Sequence, residues 1–421
     1  MAATGGFEVV RDPIWNNIGL DPAALAVLDS APVQRLRYVR QLGHAYLVYP
    51  GATHTRFEHA LGAYHLARRA LGLLAERDAL REVPPEDVTL ARLAALLHDV
   101  GHYPFSHALE EGGLPSHEDL ARIHLAHPEL VTALEATGVP DAARRIGDLI
   151  GGRSTSPLQG LVAGPIDLDK IEYLTRDARM CGVPYGTVDV DRLLHSLTLV
   201  PSPRGPTVGL HEKGVSPLES LLFAKYQMYR NVYWHHAVRS ATAMFKRAVR
   251  TALREGSVTA DIIAHDTDEA FMERLRSTAG APLAERLRRR RLYKRVLDVP
   301  AVELPADAGA WVADDPDLAH QVEDRLAAAW KRAPGEVLID YPVKPEMLSG
   351  EVPVVTRHGD VAPARLSIQR MAEDLHRAAR RFRIYAADPV PRRQAEAVLP
   401  LLEAGPDQIR ARLTDSRPLT K

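Results

Sequence analysis

The sequence predicts a mainly α-helical protein with short β hairpins and a small α+β region near its C-terminal end. Leucine and alanine recur at helical spacing through long stretches, as at Leu90, Leu93 and Leu97, and this is the pattern of helices that bury one face. Near the end of the chain, GEVLIDYPVK (335–344) and RFRIYAADPV (381–390) have instead the character of short strands. These two observations set the fold class.

The composition is that of an ordinary globular protein. Of 421 residues, 46% are hydrophobic and 25% charged, and the formal net charge is -1, which gives no reason to expect wholesale binding to nucleic acid or membrane. The one cysteine, Cys181, excludes an intramolecular disulfide. No apolar run approaches the roughly 18 residues of a membrane span, and the N-terminal residues lack a signal-peptide pattern. We therefore expect a cytoplasmic location.

The length predicts one dominant domain with an appendage. We place the core at 1–256 and a C-terminal region, with an oligomerisation or regulatory role, at 257–421. No internal repeat or long low-complexity segment interrupts either part.

The N-terminal elements are predicted from turn and capping residues. Residues 7–20 (FEVVRDPIWNNIGL) predict a short strand and a turn. Asp21 and Pro22 then suit the N-cap and first position of a helix. AYLVYPG (45–51) predicts a brief strand and a Pro-Gly turn, followed by a helix from about Thr55.

The next predicted helix ends in a polar cluster. Pro84 and Pro85 mark its start, and it contains LARLAALLHD (90–99). Gly101 and Pro104 then force an irregular turn. The stretch LLHDVGHYPFSH thus combines a buried helix with a histidine-rich end.

Two further segments predict helices. Residues 215–256 show one long helical pattern that Gly256 ends. AERLRRRRLYKRV (284–296) predicts a strongly basic helix, for which a solvated face and a nucleic-acid patch are both open explanations. The strand-like tail begins after about residue 296.

Candidate metal ligands come from three separate segments. His98 and Asp99 end the helix just described, His59 lies in RFEHALG, and Asp169 lies in IDLDKIEYLTRD. Imidazole nitrogen and carboxylate oxygen are usual ligands of a catalytic divalent metal. A single His-Asp pair at a helix end is equally explained by contact with water, so the prediction depends on the three segments converging.

The segment around Asp169 also predicts one polar helical face. Asp169, Tyr173 and Asp177 are spaced four residues apart, with Lys170 beside them, so the first three share one side of a helix. Such a face lies against water or against a polar pocket.

The order His59, His98-Asp99, Asp169 is similar to the H…HD…D signature of the HD-domain metal-dependent phosphohydrolases. The flanking text LDSAPVQRLRYVRQLGHAYLVYPGATHTRFEHALG, LLHDVGHYPFSH and IDLDKIEYLTRD resembles their deoxynucleoside triphosphate triphosphohydrolase branch, over about residues 7–245. The resemblance implies an HD-domain helical bundle. It also implies metal-dependent hydrolysis of deoxynucleoside triphosphates to deoxynucleoside and triphosphate, by attack of water at the α-phosphate.

The resemblance implies a role for each of several residues. The metal would be held by His59, His98, Asp99 and Asp169, with manganese, iron, magnesium, zinc and nickel not distinguishable. The implied catalytic residues are His102, His107, His117, Arg56 and Glu110. Among them His117 is the implied general acid, a role that suits imidazole because its ordinary pKa is about 6.5. The implied substrate-binding residues are Gln41, Leu42, Arg56, Lys170, Tyr173, Asp177, Lys225, Tyr233 and Trp234.

The sequence departs from the family's pattern at three of these positions. Glu110 stands where relatives have aspartate, Lys225 where they have arginine, and Trp234 where they have glutamine. Lys225 keeps the charge for phosphate but loses bidentate geometry, and Trp234 bears on sugar discrimination and base preference.

The resemblance also implies oligomerisation and a nucleotide activator. We expect a homodimer or homotetramer, and the residues that match the family's activator positions are Asp29, Gln34, Arg37, Arg192, Arg290 and Lys294. Arg11 replaces an asparagine of that pattern.

Two other functions stay open. An HD-type enzyme acting on nucleoside monophosphates or another phosphoester is favoured if Trp234 closes the pocket. A nucleotide-sensing or nucleic-acid-binding protein with weak catalysis is supported by the basic segment 284–296 and opposed by the complete set of metal ligands.

Overall fold

The computed structural model describes residues 8–305, 307–342, 351–364, 374–375 and 377–414. Helices predominate in these residues, so the mainly α prediction is confirmed. The helices are α1 Pro22–Leu28, α2 Ala31–Arg35, α3 Arg56–Glu76, α4 Pro85–Leu97, α5 His117–Leu125, α6 Pro128–Glu135, α7 Ala142–Ile150, α8 Gln159–Val162, α9 Leu168–Cys181, α10 Val190–Leu194, α11 Val215–Met228, α12 His236–Arg254, α13 Ala260–His265, α14 Asp268–Leu275, α15 Ala281–Arg288, α16 Ala310–Asp314, α17 Pro316–Ala329, α18 Arg392–Glu396 and α19 Pro406–Thr414.

Short strands form three small sheets. The strands are β1 Glu8–Asp12, β2 Asn16–Leu20, β3 Leu197–Val200, β4 Thr207–His211, β5 Lys294–Pro300, β6 Val337–Asp340, β7 Pro353–Val355, β8 Val361–Pro363 and β9 Arg381–Ala386. β1 and β2 form an antiparallel hairpin, the second sheet has the order β3-β4-β7-β8, and the third has the order β5-β9-β6. Only β4 and β7 pair in parallel among these described strands.

The helix starts predicted at Asp21 and about Thr55 are confirmed, and both are capped. Asp21 caps α1, where its carboxylate accepts the Ala24 N–H at 3.0 Å. At the start of α3, the Glu58 carboxylate accepts both the backbone N–H of Thr55 at 2.6 Å and its hydroxyl at 3.0 Å. These bonds satisfy N–H groups that a helix end otherwise leaves unpaired.

The strand predicted in AYLV is wrong, because Gly43–Leu47 forms a 3-10 helix. Its N–H groups bond locally, as from Ala45 to the Leu42 carbonyl at 2.9 Å, so no neighbouring strand is needed. Gly43 allows this turn because its φ is 50° and a Cβ there would lie 2.8 Å from the Phe105 carbonyl oxygen. A run of apolar residues cannot reveal that close approach.

The single helix predicted over 215–256 is also wrong. α11 ends at Met228, a π-helical turn follows over Tyr229–Tyr233, and α12 begins after His235, whose ring nitrogen accepts the Ala237 N–H at 3.3 Å. The π-helical turn and the non-helical Trp234 and His235 form a short break between two amphipathic helical stretches, so the spacing of apolar residues alone did not reveal it.

The basic segment 284–296 is only partly helical. α15 ends at Arg288, Arg290 has a φ of 52°, and β5 begins at Lys294. β5 pairs with the central strand β9, and this pairing holds the chain from Lys294 onward in a strand although the arginine-rich sequence has a helical pattern. The basic side chains are therefore divided between a helix end and a strand, which corrects the prediction of one basic helix.

The helices that carry the candidate ligands pack against one another. α3 contacts both α4 and α9, and their apolar sides fill two adjoining cores around Leu96, Tyr64 and Leu174, all of which are fully buried. A third core surrounds α12, and a fourth joins α17 to the sheet β5-β9-β6. Among the described residues, no helix has both the length and the apolar character that a membrane span requires.

Candidate active site

Four predicted ligands converge where α3, α4 and α9 meet; we call His59, His98, Asp99 and Asp169 the metal set. His59 Nε2 lies 3.0 Å from His98 Nε2 and 2.9 Å from an Asp169 oxygen. Asp99 oxygens lie 3.5 Å from His59 Nε2 and 3.4 Å from His98 Nε2. Three segments that are far apart in the sequence thus direct nitrogen and oxygen atoms at one point.

The protonation of the two imidazoles supports a cation at this point. His59 Nδ1 faces a Glu172 oxygen at 2.6 Å and His98 Nδ1 faces the Ala95 carbonyl at 2.9 Å. Both partners only accept hydrogen bonds, so both Nδ1 atoms carry hydrogen, and each ring, when neutral, directs an Nε2 lone pair inward. Two such lone pairs and two carboxylates fit a divalent metal, and these four residues would hold it.

The surrounding charges agree with that assignment. Burial alone lowers the pKa of His59, but the carboxylates of Asp169 and Glu172 outweigh it and raise the pKa to about 10. The same site therefore attracts positive charge strongly. The Asp169 side chain is 33% exposed whereas that of His59 is 0% exposed, so the set opens to solvent on the α9 side.

Glu172 orients His59 and is itself held by a buried network. Its other carboxylate oxygen accepts the Trp15 indole N–H and the Arg176 Nε–H, each at 2.8 Å. Arg176 also lies 3.0 Å from an Asp12 oxygen. A ligand whose second ring nitrogen is fixed by a carboxylate is typical of metal sites in proteins.

Arg56 contacts the metal set rather than open solvent. Its guanidinium donates to Asp99 at 2.7 Å and to the Ser106 hydroxyl at 3.0 Å. Burial raises the pKa of Asp99, but Arg56 and His98 outweigh it and hold the pKa well below its usual range. Asp99 is therefore an ionised ligand whose orientation Arg56 stabilises.

Beside the metal set lies a histidine cluster, formed by His102, His107, Glu110 and His117. The rings of His102 and His117 stack with centroids 3.8 Å apart. Glu110 faces His117 Nδ1 at 3.0 Å and His107 Nδ1 at 3.3 Å. His102 Nε2 lies 3.1 Å from Asp99, so the cluster adjoins the metal set through that carboxylate.

The histidine cluster differs from the metal set in its hydrogen bonding. Burial raises the pKa of Glu110, but His107 and His117 outweigh it and hold the pKa far below its usual range. An ionised Glu110 accepts N–H from the rings of His107 and His117, which leaves His117 Nε2 for proton transfer.

The predicted sugar-binding residues Tyr173, Asp177 and Tyr233 contact one another, and we call them, with His54, the polar pocket. Asp177 faces His54 Nε2 at 2.8 Å and accepts the Tyr233 hydroxyl at 2.7 Å. The rings of Tyr173 and Tyr233 lie edge to face at 6.4 Å. Gln41 is 6% exposed and its Oε1 has no hydrogen-bond partner among the described residues, which leaves an acceptor for a ligand hydroxyl. Leu42 packs partly buried beside this pocket.

The predicted phosphate cations have protein partners or are buried. Lys170 pairs with Asp167 and donates to the Gly164 carbonyl at 3.1 Å. Lys225 is 4% exposed. Trp234 is 3% exposed and its ring lies edge to face with Tyr229 at 5.1 Å, so its indole belongs to an aromatic cluster beneath the surface.

The predicted activator residues occupy several places. Gln34 accepts from Arg37 Nε at 2.8 Å, and the Arg37 guanidinium lies 3.6 Å from the centre of the Phe57 ring. Arg290 and Lys294 line one cavity of about 280 Å³ with His236 and Arg295. Asp29, at the end of α1, and Arg192, on α10, are exposed.

Three residues of the site were not predicted. Glu172 follows Asp169 by three residues and shares its helical face, which was the available signal. His54 and Asp167 stand next to predicted residues or motifs, but only the folded chain shows that they pair with Asp177 and Lys170.

Comparison with known proteins agrees with this geometry. The HD domain family matches residues 56–151 and the HD associated region matches residues 188–408. An uncharacterized protein of Methanocaldococcus jannaschii is 35% identical over 355 residues, which cover 84% of this chain and 73% of that protein. The crystal structure of a hypothetical protein from Aquifex aeolicus superposes with a TM-score of 0.72 at 28% identity, covering 97% of this chain and 100% of that one.

A vertebrate relative has a named activity. The deoxynucleoside triphosphate triphosphohydrolase SAMHD1 of Bos taurus is 30% identical over 263 residues. The match covers 54% of this chain and 44% of that protein, so the chain spans less than half the length of this relative.

Proposed function

The chain belongs to the HD-domain phosphohydrolases that carry an HD-associated region, and from that premise we propose that it hydrolyses deoxynucleoside triphosphates to deoxynucleoside and triphosphate. The observation that carries the proposal is the convergence of His59, His98 and Asp169, with Asp99 adjoining both histidines, beside a histidine cluster and a polar pocket. The named activity of the bovine relative supports the substrate class.

The chemistry requires a metal, a nucleophile and an acid. A divalent metal held by the metal set would activate water and polarise a phosphate oxygen. Water attacks the α-phosphorus, the bond from phosphorus to the 5′ oxygen breaks, and that oxygen takes a proton. His117 is the residue we assign to donate it, because Glu110 accepts from Nδ1 and so leaves Nε2 for the transfer.

Other residues bind and orient the substrate in this proposal. His102 and His107 contact phosphate, and the acceptor of Gln41 with the carboxylate of Asp177 receives the sugar hydroxyl. Burial lowers the pKa of His102, and the charge of Arg56 lowers it further, so His102 is neutral and acts as a hydrogen-bond donor rather than as a charge.

The test is product analysis on the full chain loaded with each divalent metal in turn. The four deoxynucleoside triphosphates, singly and mixed, are separated from their products by anion-exchange chromatography. Triphosphate release is expected, whereas orthophosphate released from added deoxynucleoside monophosphates, without triphosphate release from the triphosphates, would support phosphomonoester hydrolysis instead. Activity found only in the mixture would support the proposed nucleotide activator, and light scattering would test the proposed homo-oligomer.

Matched variants connect the activity to the metal set. We expect His59→Ala and Asp169→Asn to lose bound metal and triphosphate release together. His195→Ala is the control, since His195 is exposed and lies outside the site. Triphosphate release that survived His59→Ala would refute the assignment.

A further inference from the structure

The turn between His102 and His107 contains two consecutive residues in an unfavourable backbone conformation. Phe105 has φ 59° and ψ 23°, and Ser106 has φ 60°. Residues with a Cβ rarely adopt this left-handed region, and two in succession persist only where surrounding contacts hold them. The direction of His107 depends on that conformation because it follows immediately.

One buried carboxylate from a distant part of the chain holds this turn. Asp268, the first residue of α14, accepts the Phe105 N–H at 2.8 Å. Its other oxygen accepts the Arg40 backbone N–H at 3.1 Å and the Arg40 guanidinium at 3.2 Å. The Asp268 side chain is 1% exposed, so water does not compete for these bonds.

The same contacts connect the turn to the substrate pocket. The Ser106 hydroxyl donates to the Arg40 carbonyl at 2.7 Å and accepts from Arg56 at 3.0 Å. Arg40 directly precedes Gln41, whose backbone N–H donates to the His54 carbonyl at 3.0 Å, and the His54 ring in turn faces Asp177 at 2.8 Å. Asp268 thus holds the strained turn and the segment that contains Arg40 and Gln41 in a fixed position relative to each other, although it is part of neither.

We propose that Asp268 is a positioning residue, through which the HD-associated region sets the direction of His102 and His107. This inference rests on the proposed function, since the two histidines are the assigned phosphate contacts. Asp268 itself acts only through Phe105 and Arg40. A displacement of α14 would therefore reach the phosphate site through Phe105 and Arg40, neither of which is a member of the metal set.

The test compares Asp268→Asn with Glu269→Gln. An asparagine offers one acceptor to the two backbone N–H groups that face it, so it can hold Phe105 or Arg40 but not both. Glu269 pairs with the same Arg40 guanidinium at 3.0 Å, yet its side chain is 74% exposed. The control therefore removes an acidic partner of Arg40 and leaves the turn untouched.

Three quantities are measured: amide hydrogen exchange at Phe105 and Arg40, bound metal, and the kcat and KM of triphosphate release. In Asp268→Asn we expect exchange at one of the two amides to accelerate by about tenfold or more, and kcat to fall by a factor on the order of 10 to 100. Metal content stays at the wild-type value. Glu269→Gln matches the wild type in all three.

Two results would overturn the inference. One is a folded Asp268→Asn protein with wild-type exchange at both amides and wild-type kcat. The other needs no variant: a Phe105 amide that exchanges in the wild type as fast as an exposed loop amide is not held by Asp268. A wild type that releases no triphosphate would contradict the proposed function alone, and the exchange comparison would still decide whether Asp268 holds the turn.

Discussion

Two glycines on the same helix are expected to respond in opposite ways to the same substitution. Gly62 and Gly72 both lie in α3. A Cβ at Gly72 would meet nothing within 4 Å, whereas a Cβ at Gly62 would lie 2.0 Å from Glu172 Oε1. Alanine in a helix interior is favoured over glycine by about 1 kcal/mol, so Gly72→Ala should stabilise the protein by up to that amount.

At Gly62 the same gain is outweighed by the cost of moving Glu172. That carboxylate is bonded to His59 at 2.6 Å and to Trp15 and Arg176 at 2.8 Å. A hydrogen bond to a charged group contributes about 1.5 to 3 kcal/mol, so the loss of one such bond already exceeds the gain. We expect Gly62→Ala to lower the free energy of unfolding by about 0.5 to 2 kcal/mol.

The same displacement should weaken metal binding, because His59 would lose the partner that orients it. A loss of about 10- to 100-fold in affinity is typical when such a partner is removed. Urea unfolding of metal-free protein measures the stability, and competition with a chromophoric chelator measures the affinity. A Gly62→Ala protein as stable as Gly72→Ala, with wild-type metal affinity, would refute the reasoning about Glu172.

Three further outcomes are expected from the site and its surroundings. Burial raises the pKa of Glu111, but Arg239 and Lys246 outweigh it and lower the pKa from 4.5 to about 2. The ionised carboxylate therefore contributes up to about 3 kcal/mol to the free energy of unfolding above pH 4.5, and this contribution is lost as the pH falls towards 2. Glu111→Gln should flatten the acid side of a plot of unfolding free energy against pH. Removal of the metal with a chelator should lower Tm, because metal present at 100 times its Kd stabilises the folded protein by about 2.7 kcal/mol. Scanning calorimetry measures the change, and added metal should restore the original Tm. Tyr233→Phe removes a hydrogen bond to Asp177, so we expect KM for the nucleotide to rise by roughly tenfold at most. As a control, elemental analysis should find the wild-type metal content in this variant.

The elements that carry the site could be predicted because their signals are local. Asp21 and Thr55 mark helix starts through capping, and Pro84 and Pro85 mark the start of α4. The Gly43–Leu47 helix and the π-helical turn after Met228 were not predicted, since both depend on contacts with residues far away in the sequence or on a one-residue change within a turn.

The metal set could be predicted as residue types, but its hydrogen bonding could not. Nothing in the sequence around His59 shows that Glu172 accepts a hydrogen bond from its Nδ1 or that Gly62 leaves room for that carboxylate. Asp268 lies 163 positions from Phe105, and no pattern joins them. Contacts of this kind arise from the packing of α3, α9 and α14 and appear only when those helices are placed together.

The π-helical turn Tyr229–Tyr233 constrains how the chain can change in length. Each residue added to or removed from a helix rotates the remainder of that helix by about 100°. Deleting one residue from this turn would shorten the connection between α11 and α12, which also contains the non-helical Trp234 and His235. Tyr233 would turn away from Asp177, and the start of α12 would be drawn towards α11, which would displace Arg239 from Asp340, its buried partner on β6. Substitutions at this junction can adjust the pocket one side chain at a time, whereas a one-residue deletion would misalign the pocket and the C-terminal sheet together.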